Sequence, residues 1–188
     1  ALPADPHTKF AIMVPAHNEG AGLAATLASF EALDYPTGLF SVHVVADNCT
    51  DDTAAVVRAS PWHVHERHAP DDPGKGPALN WLYNRLSQEG DFDAVLVVDA
   101  DTTLHRSFLR AMDATLRAGA AVAQGHYSVR DPDASRTSSF RFAALACRHH
   151  LRPLGRNRIG ASCGLYGNGM AFRRWVLDTH RWSGHLVE

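Results

Sequence analysis

The chain has 188 residues, 45% of them hydrophobic, with 18 Lys+Arg set against 20 Asp+Glu for a formal charge of −2. That length carries one domain with a substantial core, and the composition excludes disordered and fibrous classes. A balance this close to neutral offers no broad footprint for duplex nucleic acid or an anionic membrane, so a negatively charged ligand has to be met by a local device.

The leader "ALPADPHTKF" lacks the apolar core of a signal peptide, and runs such as "AVLVV" fall far short of the roughly 20 residues of a membrane-spanning helix. "KFAIMVPAH" then reads as a strand ending near Pro15, followed by a helix over "NEGAGLAATLASFEALDYP" with Asn18 as its cap. "SVHVVAD" is a second strand, and "CTDDTAAVVRAS" a short helix opened by Thr50 and two acidic residues at its positive end. A third strand, "WHVHERH", leads into a helix over "GKGPALNWLYNRLSQEG" with Leu79, Leu82 and Leu86 on its apolar side. "DAVLVVDAD" is the fourth strand. Strands alternating with helices predict an α/β fold, Rossmann-like, with a mostly parallel central sheet and helices on both faces.

Further on the alternation loosens. "SFLRAMDATLRAG" predicts a helix, "AAVAQGHYSV" a strand and "SSFRFAALACRHHLRPL" a helix, whereas "GRNRIGASCGLYGNG" reads as a glycine-rich loop and "MAFRRWVLDTHRW" as short and partly helical. Cys49, Cys147 and Cys163 form neither a disulfide framework nor a CxxC zinc pattern and are expected to be buried thiols of a reducing compartment. "HVHERH" and "RHH" lack the HExxH spacing of a zinc helix and are expected at the surface.

Three predicted strands end in polar groups: "PAHNE" (15–19), "ADNCTDD" (46–52) and "DAD" (99–101). In an open parallel sheet such carboxyl ends converge on one crevice. On an extended backbone Asp99 and Asp101 point the same way, and two carboxylates one residue apart suit a hard divalent cation that takes its remaining ligands from water and phosphate oxygens. The plainer alternative is that Asp101 and Thr102 cap the next helix while Asp99 pairs with a lysine. Likewise Asp47 alone could make an Asx turn, Lys75 alone could be a solvated charge, and the "GLYGNG" segment could be a simple turn.

"VPAHNE", "VVADNCTDDT", "GKGPALNW" and "VVDADTTL" occur together in the order and spacing of the family 2 inverting glycosyltransferases, and the chain resembles that family, including polysaccharide synthase catalytic domains, from about Lys9 to its last residue. The resemblance implies a GT-A fold and transfer of a sugar from a nucleotide donor, of UDP type, to an acceptor hydroxyl with inversion. Pro15, His17 and Glu19 match the segment lining the nucleotide pocket, and Asp47 the aspartate that reads the uracil edge, although Ala46 stands where many relatives carry a second Asp. Lys75 matches the lysine near base or diphosphate; Asp99 would meet the ribose or the metal shell, and Asp101 would bind Mn²⁺ or Mg²⁺.

"GLYGNGMAFRR" resembles the floor beside the sugar, which places Gly167, Asn168 and Gly169 on the acceptor side. "HLVE" resembles the start of the Glu-Asp motif whose Asp is the catalytic base, so Glu188 begins that motif and the base itself would follow. The expected organisation is a single domain over 1–188, with a nucleotide-sugar half over 8–101 and an acceptor-side half over 102–188 that reads as truncated. The expected partners are the donor and a carbohydrate, lipid-linked or other hydroxyl acceptor, without nucleic acid. The expected location is cytoplasmic, at the membrane face where a further C-terminal region supplies attachment, as in many relatives. Two other classes fit less of the sequence. A sugar nucleotidyltransferase calls for a basic phosphate loop that "PAHNEGAG" lacks, and a binding module would hold the donor without turnover.

Overall fold

The computed structural model describes residues 5–162 and 164–182. Its strands are β1 (Phe10–Ala16), β2 (Phe40–Asp47), β3 (His63–Arg67), β4 (Ala94–Val97), β5 (Val122–Gln124) and β6 (Met170–Arg173), in the spatial order β3-β2-β1-β4-β6-β5. β1 pairs in parallel with β2 and β4, and β2 with β3. β1 and β4 are apolar almost throughout and nearly fully buried, because strands covered on both faces have no solvent side to make polar. The ladder bonds from Arg173 N–H to the Ala121 carbonyl and from Gly125 N–H to the Gly169 carbonyl advance in opposite senses, so β5 and β6 run antiparallel.

The helices are α1 (Gly20–Glu31), α2 (Thr53–Arg58), α3 (Lys75–Glu89), α4 (Phe108–Arg117), α5 (Arg136–Ala146), α6 (Arg152–Arg158) and α7 (Arg174–Thr179). Leu23, Leu27 and Phe30 of α1, and Leu109, Met112 and Leu116 of α4, repeat at helical spacing and bury one stripe of each. Leu79, Leu82 and Leu86 do the same for α3. No helix among the described residues is long and apolar enough to cross a membrane.

Two compact units divide the chain: Ala1–Ala123 with Ala171–Glu188, and Gln124–Met170. In the second unit α5 and α6 are joined through a π-helical turn, Cys147–Leu151, so helix continues to Arg158 and takes in "GRNR", which the sequence reading assigned to a loop. Ser135 caps this run by accepting from the Ser138 N–H at 3.1 Å. β6 was likewise unexpected from sequence; its four residues lie between the glycine-rich segment and α7. The predicted strand over "AAVAQGHYSV" shrinks to the three residues of β5.

Two surface assignments need correction. Cys147 is exposed and Cys49 half-buried, so neither is a fully buried thiol, and Cys163 lies outside the described residues. His149 is buried, its ring 4.6 Å from that of Tyr127 and 4.2 Å from that of Tyr166.

At the sheet edge His43 of β2 stands opposite His63 of β3, with ring centroids 4.8 Å apart, and its Nδ1 lies 3.1 Å from His65 Nε2. Burial, and then the two neighbouring imidazoles, push His43 down to about 3. A depressed histidine is neutral when folded and takes up a proton when unfolded at its ordinary 6.5. Its stabilisation is therefore complete above that value and lost as the pH falls towards 3. Urea unfolding from about pH 7 to about pH 5 should lose about 1–2 kcal/mol that His43→Gln does not lose; parallel pH profiles for the two proteins would contradict this.

Candidate functional site

β1 lies between β2 and β4, so the chain leaves the carboxyl ends of β1 and β4 towards opposite sides and opens a crevice there. That crevice is a cleft of about 490 Å³ in the first unit. Its lining includes Pro15, His17 and Glu19 from the end of β1, Asp47 from β2, Gly74 and Lys75 from the start of α3, and Asp99 and Asp101 beyond β4. The sequence-predicted nucleotide and metal residues thus share one cleft.

Local chemistry holds each wall. Asn18 and Asn48 adopt left-handed backbone, with φ of 55° and 51°, a conformation that asparagine tolerates better than most residues. Asn18, expected from sequence to cap α1, does not do so. Its Oδ1 accepts from the Thr50 N–H at 2.8 Å and so ties the loops after β1 and β2 together. Glu19 occupies the cap position of α1 without a side-chain bond, and Asp51 Oδ2 accepts the Gly20 N–H at 3.1 Å. Thr50 does not open α2 either; that helix starts at Thr53 with Asp52 before it. His17 Nδ1 lies 2.7 Å from the Asp47 carbonyl, joining the ends of β1 and β2.

Asp47 and Arg67 face each other in the β2–β3 register, and Arg67 donates to Asp47 Oδ1 at 2.6 Å with both side chains over 90% buried. Its other terminal nitrogen reaches Asp72 Oδ2 at 2.7 Å and the Asp72 carbonyl at 2.8 Å. Arg67 thereby fixes one oxygen of Asp47 and the loop that leads to α3. Gly74, at φ 114°, turns the chain into α3 in a conformation open to glycine, and its N–H approaches Asp47 Oδ2 at 3.4 Å.

The Asp pair is not arranged as an extended strand. β4 ends at Val97, and the chain turns so that the Thr102 N–H donates to the Asp99 carbonyl at 3.1 Å. Buried Thr26 of α1 pins this turn by donating its hydroxyl to the Ala100 carbonyl at 2.7 Å. Asp99 Oδ1 lies 2.5 Å from Lys75 Nζ, so the cation against this carboxylate is a lysine. Asp101 is exposed, and its Oδ1 accepts a 3.4 Å bond from the Thr102 hydroxyl. Neither Asp101 nor Thr102 caps the following helix, which begins at Phe108 behind Ser107. No group of three His, Cys, Asp or Glu among the described residues is placed to hold a metal. The donor set is therefore one solvent-facing carboxylate beside a second that is shared with Lys75. It fits a hard divalent cation completing its shell with water and phosphate, and it does not fit a closed protein cage.

Gly167, Asn168 and Gly169 belong to the second unit. Both glycines have positive φ, 86° and 65°, and the Asn168 carbonyl accepts from Gln124 Nε2 at 2.7 Å. Glu188 lies outside the described residues. Arg67 and Thr26 were missed from sequence; the approach of "HER" to "AD" in strand register was the available signal for the first.

The pattern described as "Glycosyltransferase like family 2" matches residues 6–186. The chain belongs to that family. A relative, the "Probable glycosyltransferase YdaM" of Bacillus subtilis (strain 168), is 25% identical over 178 residues, covering 90% of this chain and 41% of that protein. Among solved structures, the mannosyltransferase PcManGT from Pyrobaculum calidifontis in complex with GDP-Man and Mn²⁺ superposes with a TM-score of 0.64 at 20% identity, covering 95% of this chain and 49% of that one. S. aureus TarS 1-349 in complex with UDP-GlcNAc gives 0.63 at 20% identity, covering 91% and 47%. Glucosyl-3-phosphoglycerate synthase from Mycobacterium tuberculosis in complex with UDP gives 0.58 at 24% identity, covering 90% and 58%. These likenesses establish the GT-A fold, and the family 2 chain spans about half the length of the solved relatives.

Proposed function

We propose that the chain takes a sugar from a UDP-type nucleotide donor and transfers it, with inversion, to an acceptor hydroxyl. The observation that carries this reading is the convergence of Asp47, Lys75, Asp99 and Asp101 on one cleft at the carboxyl ends of β1, β2 and β4. In this reading Asp47 takes the base. Arg67 occupies its Oδ1, so a ligand meets Oδ2, which already faces the Gly74 N–H at 3.4 Å, and the remaining acceptor capacity suits the single N–H of uracil better than the paired N–H donors of guanine. Lys75 and the N-terminus of α3 stand where a diphosphate gains from both a cation and helix backbone amides.

Asp101, with Asp99 beside it, would hold Mn²⁺ or Mg²⁺, which when bound supplies Lewis-acid neutralisation of the leaving diphosphate. Asp99 also keeps Lys75 at the cleft, and the Thr26 bond keeps both carboxylates in place. We assign the acceptor to Gly167, Asn168 and Gly169, and the general base to the Asp of the Glu-Asp motif that Glu188 resembles the start of. Opposed placement of base and leaving group yields inversion.

Titration calorimetry of the 188-residue chain tests the donor. UDP should bind at least about tenfold more tightly with Mn²⁺ than with EDTA, and about tenfold more tightly than GDP under the same conditions. Equal affinity with and without the cation would remove the metal from this reading, and a preference for GDP would remove the base assignment.

A further inference from the structure

The helical run from Arg136 to Arg158 carries a charge asymmetry that the whole-chain balance hides. No Asp or Glu occurs between Asp133 and Asp178, while Arg136, Arg141, Arg148, Arg152, Arg156 and Arg158 all fall in this run and all are exposed. With those six removed from a total of −2, the rest of the chain carries −8. Large apolar side chains stand open among the arginines: Phe140 is 76% exposed, Leu151 61%, Leu154 50% and Ile159, just past the end of α6, 81%. Scattered single apolar residues are ordinary on a protein surface. Here they accumulate on one helical run, with Leu151 and Leu154 about one turn apart in it.

We propose that this run is a docking surface for an anionic lipid bilayer. The arginines meet headgroup phosphates, for which the planar guanidinium fork is well shaped, and Phe140, Leu151, Leu154 and Ile159 enter the boundary between headgroups and acyl chains. Charge selects this occupant. A second copy of the same face would bring together two sets of six arginines that form no ion pair among the described residues, and an apolar protein groove would leave them desolvated. A negatively charged lipid surface answers the charge and the exposed apolar area together, while the −8 elsewhere turns the remaining surface away from it. The proposal is independent of the donor assignment.

Flotation of the 188-residue chain with vesicles of phosphatidylcholine, alone or with about one third phosphatidylglycerol, tests it. The chain should float with the anionic vesicles only, and added salt should weaken the binding. Binding should fall at least about tenfold in the triple variant Phe140→Ser/Leu151→Ser/Leu154→Ser. A similar fall is expected in Arg141→Gln/Arg148→Gln/Arg152→Gln, with circular dichroism and thermal unfolding reporting intact folding in both. Phe140→Trp gives a readout that needs no loss of binding: its additional fluorescence should shift to the blue with anionic vesicles and stay unshifted with neutral ones. Failure to float, equal flotation with neutral vesicles, insensitivity to both triple variants, or an unshifted tryptophan would each overturn the proposal. So would retention of single-stranded RNA without vesicle binding, or a dimer in solution that the apolar triple variant dissolves.

Discussion

Arg67→Met should lower the free energy of unfolding by about 3–5 kcal/mol, the usual cost of leaving one member of a buried ion pair without its partner. Asp47 is over 90% buried, and its shortest side-chain bond is the one from Arg67, 2.6 Å long. Methionine fills much of the volume but leaves that charge in a space with little water. The same substitution releases Asp72, so the loop before Gly74 loses its tie as well. Arg67→Lys should fall between wild type and Met, because one ammonium cannot reproduce the fork that serves two aspartates at once. Adding Asp47→Asn to Arg67→Met should recover about 1 kcal/mol or more by removing the stranded charge. Urea unfolding followed by circular dichroism measures all three. A loss below about 1 kcal/mol in Arg67→Met would mean that water reaches Asp47 and that the pair is an ordinary surface contact.

The contrast between Arg67 and its neighbours explains what could be read from sequence. β1, β2 and β4 were legible because a strand buried on both faces must be apolar nearly throughout, and α1, α3 and α4 because one buried stripe repeats at helical spacing. The cleft followed from the polar residues that end three such strands. Arg67 was hidden because its role depends on register with β2, a relation between segments 20 residues apart. Thr26 was hidden for a similar reason: it reads as one more small residue of α1 until its hydroxyl meets the Ala100 carbonyl. The geometry of the Asp pair was misjudged because β4 stops two residues before Asp99, and the following turn then decides where each carboxylate goes. β6 and α6 were missed because glycine and arginine composition suggested loop where hydrogen bonding within the second unit supports strand and helix.

Asp101→Ala is expected to abolish the difference that Mn²⁺ makes to UDP binding, a loss of at least about tenfold that brings affinity with the cation down to the level seen in EDTA. The expectation rests on the division of labour between the two carboxylates. Asp99 is engaged with Lys75 at 2.5 Å, whereas Asp101 faces solvent and has no cationic side chain bonded to it among the described residues. Removing Asp101 should therefore leave the fold and the nucleoside end of the site intact, and UDP binding in EDTA should stay within about threefold of wild type. Asp99→Ala should behave differently: it also frees Lys75, so binding is expected to change both with and without the cation. Sugar transfer should fall at least about a thousandfold in Asp101→Ala, since Lewis-acid neutralisation of a leaving diphosphate contributes several kcal/mol. Asp101→Asn, which keeps the shape and one neutral oxygen, should recover only a small part of that loss. If Asp101→Ala still binds UDP more tightly with Mn²⁺ than without it, the cation is held elsewhere, and Asp101 serves only to shape the turn.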